Sequence, residues 1–479
     1  MADAAVISKK ARINWLHVGG AAGAVLAFIV VRSLPIGGLS PQGQGVLATL
    51  AAAVIVWITG PIPMGYAAVL AMIVPWFLGY VPAEVAFSGF AGTTFWLLFA
   101  ALGMGYCVQA SGLARRLALL VLLAIGKPTY RRVLLAVVAI TLALSYLIPS
   151  GLAKMVTVLA LFMPLVPLFG LTAKSNVGKG IALAIAMVAY AGMTLMPAGS
   201  VVNLMSYGAM QKLGITVPFV NWVTIALAPT LLFAAGIYLF GLWYAKPELQ
   251  AAPGGRARIL QEYRALPALS TKEAWTIAVT VLIVAGWMLD PILKLGITQV
   301  GMLGVLLYLL PGIGATSFGE FVQKAIHWET MLLVGAILGL SAMLPATGVE
   351  SLLGQSLAPL LSWASSPVLM VLAVALLALA VHPLALFLPT LPLVVPIIAG
   401  AARGAGLNPF VANLVYLTLW PMFYFWLFAP QTALVTKDGA VTMKDWVITS
   451  AAYFVIWVIV WMVSVLTWIP LMEAMGLLP

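Results

Sequence analysis

Lys154 and His382 are the residues on which chemistry could turn, because each stands in a long apolar stretch where a titratable group is costly to hold. An ammonium in such a place needs an anion or carbonyl oxygens, and neither YLIPSGLAK (146–154) nor VHPLALFLPTLP (381–392) contains an Asp or Glu. The carboxylate of a ligand is the natural counter-ion for Lys154; snorkelling to the interface, or pairing with backbone carbonyls, is the structural alternative. His382 has an ordinary pKa of about 6.5, which suits it to proton exchange near neutrality as well as to a hydrogen bond at a helix break. Small polar groups stand at chain breaks around these two. They are Ser150 and Gly151 beside Lys154, Pro383 beside His382, Gly199, Ser200 and Asn203 in MPAGSVVNL (196–204), and Gln431 and Thr432 in FAPQTAL (428–434). Hydroxyls, carboxamides and the unsatisfied N–H groups of helix starts together suit the oxygens of a small anion.

The elements that must hold these groups are apolar helices. Of 479 residues, 64% are hydrophobic and 7% charged, against roughly 25% charged in a soluble domain. Apolar windows of about 20 residues, the length needed to cross a bilayer, recur from Trp15 to Pro470 and amount to roughly eleven spans or re-entrant pairs. The runs are continuously apolar rather than alternating, which excludes a β-barrel and predicts an all-α polytopic membrane protein. The four breaks, two in each half, read as two re-entrant hairpins and two discontinuous helices. Unwound backbone at membrane depth requires a protein or water lining, so these breaks mark a binding site at the midplane.

Phe95–Leu117 (FWLLFAALGMGYCVQASGLARRL) repeats in Met331–Leu353 (MLLVGAILGLSAMLPATGVESLL) at an offset of 236, which pairs Gly103 with Gly339 and Gly112 with Gly348. With an odd number of crossings per half, the repeats insert in opposite senses. The expected organisation is an N-terminal segment and first span (1–39), a first membrane repeat (40–245), a cytoplasmic linker (246–275) and a second membrane repeat (276–479). The linker contains the longest polar interval. The net charge of +11 gathers in short loops, at Arg115, Arg116, Lys127, Arg131 and Arg132 and again at Lys246, Arg256, Arg258 and Arg264. That distribution follows the positive-inside rule for an inner (plasma) membrane of bacterial type and does not call for nucleic acid. The single cysteine, Cys107, excludes an intrachain disulfide. No metal-ligand cluster, P-loop or Ser/His/Asp arrangement is evident, so neither a cofactor nor an enzymatic activity is expected.

Several segments resemble the divalent anion:sodium symporters of the ion transporter superfamily. Trp57-Ile58-Thr59-Gly60-Pro61-Ile62-Pro63 is similar to that family's Trp-x-Thr-Glu-Ala-Ile-Pro signature, with Gly60 replacing Glu. Gly112-Leu113-Ala114-Arg115-Arg116-Leu117-Ala118 resembles its Gly-Leu-x-Arg-Arg-Ile-Ala segment, and Gly199-Ser200-Val201-Val202-Asn203 its Gly-Thr-Pro-Pro-Asn loop. Sodium-coupled members carry Ser-Asn-Thr at both hairpin tips. Here the tips read Ser150-Gly151-Leu152 and His382-Pro383-Leu384, and the second loop reads Phe428-Ala429-Pro430-Gln431-Thr432. Pro149-Ser150-Gly151-Leu152-Ala153-Lys154 is similar instead to the Pro-Ser-Asn-Thr-Ala-Arg tip of the plastid dicarboxylate translocator branch, which exchanges 2-oxoglutarate and malate without sodium. The resemblance implies a homodimer in the lipid bilayer with elevator-type scaffold and transport domains. It also implies a small di- or tricarboxylate-like substrate moved by sodium-independent exchange or proton coupling. A sodium-coupled dicarboxylate or sulfate symporter with an altered ion site is the alternative.

Overall fold

The computed structural model describes residues 15–479 apart from 125, 128, 147, 149–150, 251–254, 358, 360, 386, 425–428 and 438. The described chain is helical. Its first part comprises α1 (Trp15–Ser33), α2 (Pro41–Thr59), α3 (Met64–Phe77), the short α4 (Ala83–Ala86) and α5 (Ser88–Ala91), α6 (Thr93–Ala110), α7 (Leu113–Ala124), α8 (Tyr130–Leu144), α9 (Gly151–Phe162), α10 (Asn176–Ala191), α11 (Val201–Lys212) and α12 (Phe219–Tyr244). A linker helix, α13 (Gly255–Arg264), follows. The second part comprises α14 (Thr271–Met288), α15 (Asp290–Leu293), α16 (Ile297–Tyr308), α17 (Phe318–Lys324), α18 (Trp328–Ala346), α19 (Val349–Leu357), α20 (Pro367–Ala385), α21 (Phe387–Gly404), α22 (Pro409–Thr418), α23 (Ala429–Thr436), α24 (Met443–Leu466) and α25 (Trp468–Ala474). Among the described residues, six helical segments are long and apolar enough to cross a bilayer, in regions that include α2, α6, α10, α12, α18 and α24.

The repeat read from the sequence extends through the element order, with α2 corresponding to α14, α3 to α16, α6 to α18 and the pair α8–α9 to α20–α21. Packing is reciprocal: α3 lies on α18, and α16 lies on α6. The aligned glycines explain how. A Cβ on Gly103 of α6 would stand 2.5 Å from the Phe321 ring of α17, and one on Gly339 of α18 would stand 2.1 Å from the Ala86 carbonyl oxygen of α4. Each glycine therefore admits a short helix of the opposite repeat, a close approach that a side chain would block.

Helix starts are set by side-chain caps. Thr129 caps α8, Ser175 caps α10 and Ser200 caps α11, while Ser270 with Glu273 and Thr442 with Asp445 form capping boxes on α14 and α24. Contacts at these ends define two faces of the molecule. At the linker face, Glu248 accepts from the Asn176 N–H (2.6 Å), Lys179 pairs with Asp445 (3.1 Å), and Gln250 accepts from the Tyr130 N–H. At the opposite face, Asn221 donates to the Leu477 carbonyl, Asn408 to that of Pro479, and Tyr207 to that of Val217. The segment around Glu248 and Gln250 thus lies over the starts of α8 and α10.

Two of the expected breaks differ in position. In the second hairpin, α20 continues through His382 to Ala385 and α21 begins at Phe387, with residue 386 between them outside the described residues. Pro383 therefore sits in the last turn of a helix, and Pro389 and Pro392 fall in the first two turns of α21. In the second discontinuous helix, residues 419–424 are not helical and Ala429–Thr436 are, with 425–428 outside the described residues, so the described break precedes 429–434 rather than coinciding with it. Trp420-Pro421 is the local cause, since proline disfavours helix in the residue before it.

Candidate functional site

The first hairpin is built from α8 and α9. Ser145, just beyond α8, donates through Oγ to the Thr141 carbonyl (2.8 Å), and Thr141 Oγ1 donates to that of Val137 (2.6 Å). Such back-bonding competes with the helix's own ladder at the point where α8 stops. Lys154 in the first turn of α9 is fully buried and donates through Nζ to Ser145 Oγ (2.9 Å). The ion pairs among the described residues are Arg116–Glu273, Lys179–Asp445 and Lys324–Glu320, so Lys154 belongs to none of them. None of the twelve Asp and Glu residues lies in 130–212 or 367–436, the stretches forming the hairpins and discontinuous helices. A protonated lysine has three donors, of which the Ser145 oxygen engages one.

The first discontinuous helix breaks between α10 and α11 across two 3₁₀ turns, Gly192–Leu195 and Pro197–Gly199. Asn203 holds this loop, its Nδ2 donating to the carbonyls of Met193 (2.7 Å) and Met196 (2.9 Å). Ser200 Oγ accepts from the Asn203 N–H (3.0 Å). Both protons of the Asn203 amide are thus engaged, and the side chain can offer a ligand only its Oδ1. Thr194 Oγ1 lies 3.2 Å from Thr230 Oγ1, and the Thr194 carbonyl accepts from Trp222 Nε1 (2.9 Å), which ties the loop to α12. Every residue from 192 to 200 is buried.

Hairpin and break touch closely. A Cβ on Gly151 would stand 2.7 Å from Met193 Sδ and 3.1 Å from the Tyr190 ring, and one on Gly192 would stand 2.0 Å from Ser145 Oγ. The Gly199 position would put a Cβ 2.1 Å from the Met193 carbonyl oxygen. Glycine at 151 and 192 permits the hairpin tip and loop to approach without intervening side chains, and glycine at 199 lets the loop fold back on itself.

Tyr190 joins this unit to the second repeat. Its hydroxyl accepts from Gln431 Nε2 of α23, and its ring lies 5.5 Å from that of Trp420 in the second break. Gln431 Oε1 has no hydrogen-bond partner among the described residues. Thr432, the next residue, is buried, and its carbonyl accepts from Thr436 Oγ1 (2.8 Å). In the second repeat, the buried His382 ring lies 5.1 Å from that of Tyr416 on α22. One turn earlier, the buried Asn413 donates to the Pro409 carbonyl (3.0 Å), while its Oδ1 is without a partner among the described residues.

The geometry therefore gathers Gly151, Lys154, Gly199, Ser200, Asn203 and Gln431 around Tyr190 and Ser145, with Thr432 adjacent. His382 and Pro383 form the corresponding hairpin end of the other repeat. Ser150 lies outside the described residues. Sequence reading missed Ser145, Tyr190, Tyr416 and Trp420. Ser145 could have been found as the serine at the end of the apolar run before the tip, and Trp420 from its Trp-Pro dipeptide. The aromatic partners carry no local signal, because their role depends on which helices meet.

Comparison with known proteins agrees with this architecture. The family model for the sodium:sulfate symporter transmembrane region matches residues 19–474. A membrane protein of Cupriavidus necator is 29% identical over 372 residues, covering 74% of this chain and 71% of its own. The putative malate transporter YflS of Bacillus subtilis is 22% identical over 339 residues, 69% of each chain. The chloroplastic dicarboxylate transporter 2 of Spinacia oleracea is 23% identical over 328 residues, 65% of this chain and 56% of that one. The crystal structure of the YdaH transporter from Alcanivorax borkumensis superposes with a TM-score of 0.53 at 15% identity, covering 97% of this chain and 98% of the other, an agreement of fold.

Proposed function

The chain belongs to the sodium:sulfate symporter family, and from that premise we propose that it is a secondary active transporter of small organic anions, di- or tricarboxylate-like, working by sodium-independent exchange or proton coupling. The observation that carries this reading is Lys154, a fully buried ammonium hydrogen-bonded to Ser145 in a region without a single acidic residue. A substrate carboxylate would supply the missing charge, and the Ser145 hydroxyl would orient the ammonium toward it. The malate and dicarboxylate transporters among the relatives favour the same substrate class.

The charge also bears on the mode of transport. Returning an unloaded site across the membrane would carry an unpaired ammonium through a low-dielectric passage, at a cost of several kcal/mol. Loaded return avoids that cost, so exchange is favoured over net flux. Alternating access in this reading is elevator-like, with α8–α12 and α20–α24 moving against a scaffold containing α2–α6 and α14–α18, in a homodimer in the lipid bilayer. Ser200, Asn203, Gln431 and Thr432 shape the substrate site, while His382 is the group through which a proton could be coupled.

Reconstitution into liposomes tests the reading. Malate, succinate, citrate and sulfate uptake is followed while sodium, proton and internal-anion gradients are imposed one at a time. Uptake driven by an internal carboxylate, with sodium absent, is the expected result. Uptake that occurs only with inward sodium would assign the protein to sodium symport.

A further inference from the structure

Two lysines outside the site occupy equivalent positions in the two repeats. Lys212 is the last residue of α11, and Lys437 directly follows α23; these helices are the second halves of the two discontinuous helices. Both lysines are exposed, and each lines a cavity. The first, about 470 Å³, lies between α11 and the α5–α6 turn and is lined by Ser88, Thr93, Thr94, Gln211 and Lys212. The second, about 330 Å³, lies between α9 and α23 and is lined by Val156, Leu159, Leu434 and Lys437, with Ala182 of α10 on its floor. Among the described residues no Asp or Glu lines either one, and Asp438, next to Lys437, lies outside the described residues.

They open toward opposite faces. Lys437 precedes Asp445 of α24, which pairs with Lys179 at the linker face. Lys212 ends the discontinuous helix that starts at that face beside Glu248, and it precedes α12, whose start lies at the opposite face. The helices beside the cavities run inward. Gln431, which touches Tyr190, lies one helical turn above Leu434, and α11 runs from Lys212 back to Asn203 and Ser200 at the buried break.

We propose that these cavities are two anion-collecting antechambers, one per membrane face, in which Lys212 and Lys437 concentrate small carboxylates before they reach the central site. This rests on the anion-transport reading above. A cationic side chain in a cleft with low-dielectric walls raises the local concentration of anions and speeds their arrival, and the effect weakens with salt. Neither lysine needs to touch the bound substrate, so each acts on entry from its own side only.

Two experiments test this in the full-length protein. In uniformly oriented proteoliposomes with the trans side saturated, malate exchange is measured from each face at low and at physiological salt. Lys212→Gln is expected to raise KM several-fold, up to about 10-fold, from the face opposite the linker, and Lys437→Gln from the linker face. The maximal rate stays unchanged, arginine restores KM, and salt erases the difference. An equal change from both faces, or none, overturns the proposal. The second experiment does not depend on transport. In a Cys107→Ala background, Ala342→Cys in the first cavity and Ala160→Cys in the second are reacted with anionic and cationic water-soluble thiol reagents. The anionic reagent should react several-fold faster, and the neighbouring Lys→Gln should abolish that preference. Equal rates, or no reaction because the cavity is filled by lipid, overturn the antechambers even if the protein moves malate. If wild type moves neither malate nor sulfate while the reagent preference holds, the failure belongs to the transport reading alone.

Discussion

The two hairpin-and-break units share an architecture but use their polar groups differently. In the first repeat, Lys154 is anchored to Ser145, and Asn203 satisfies two carbonyls of the break through its side chain. In the second repeat the hairpin end carries His382 against Tyr416, while Gln431 and Asn413 each leave an oxygen without a hydrogen-bond partner among the described residues. One unit presents a buried lysine beside a break whose loop carbonyls are held by Asn203. The other presents acceptors and a titratable ring, which suits proton donors such as a hydroxyl or water. Pseudo-symmetry thus preserves the backbone path while the chemistry of the halves diverges.

Removing the charge should have the largest effect. Lys154→Ala should weaken anion binding by about 2 kcal/mol or more, roughly 30-fold, measured by isothermal titration on protein whose melting temperature is checked in parallel. Lys154→Arg should keep part of the affinity, since charge survives with altered geometry. Unchanged affinity in folded Lys154→Ala would erase the proposed contrast between the halves and move the coupling question to His382.

Next in size is the frame around that charge. Asn203→Ala strips two buried carbonyls of their donor and should cost about 2 kcal/mol of stability, seen as a lower midpoint in thermal unfolding. A wild-type midpoint would mean the loop is held by Ser200 and the tie to α12 alone. Gly192→Ala pushes a methyl against Ser145 Oγ and should destabilise by about 1–3 kcal/mol. Its comparison is Gly400→Ala in α21, where a Cβ meets nothing within 4 Å. That change should be neutral or stabilising by up to about 1 kcal/mol. Equal losses for the two glycines would show that the first hairpin is not the more tightly packed one.

His382→Gln sharpens the comparison from the other side. If the ring carries a coupled proton, the variant should remove the pH dependence of transport that such coupling requires, while sodium-free counterflow persists. The smallest expected effect is that of sodium: its replacement by choline should leave initial uptake nearly unchanged, and a steep saturable dependence would restore a cation to the second unit.

Much of this was legible in the chain and some was not, for a common reason. Burial in a bilayer is decided residue by residue along a helix, so the helices, the repeat and the first hairpin and break could be read from windows of about 20 residues. Gly103 and Gly339 could be aligned in the same way, and their shared use emerged only when short helices of the opposite repeat were seen against them. The isolation of Lys154 from acidic residues in its own segments was likewise evident from composition. The second break was misplaced because several prolines compete over 409–436, and packing decides which of them ends a helix. Tyr190 and Gln431 are 241 residues apart, and Ser145 meets Lys154 only because the hairpin folds back. Sequence determined that this is a two-repeat membrane protein with a lone ammonium inside an apolar segment. Tertiary structure decided which hydroxyl holds that ammonium and which aromatic joins the halves, because contacts between distant segments depend on how helices pack and not on the local transfer energies that place them in the membrane.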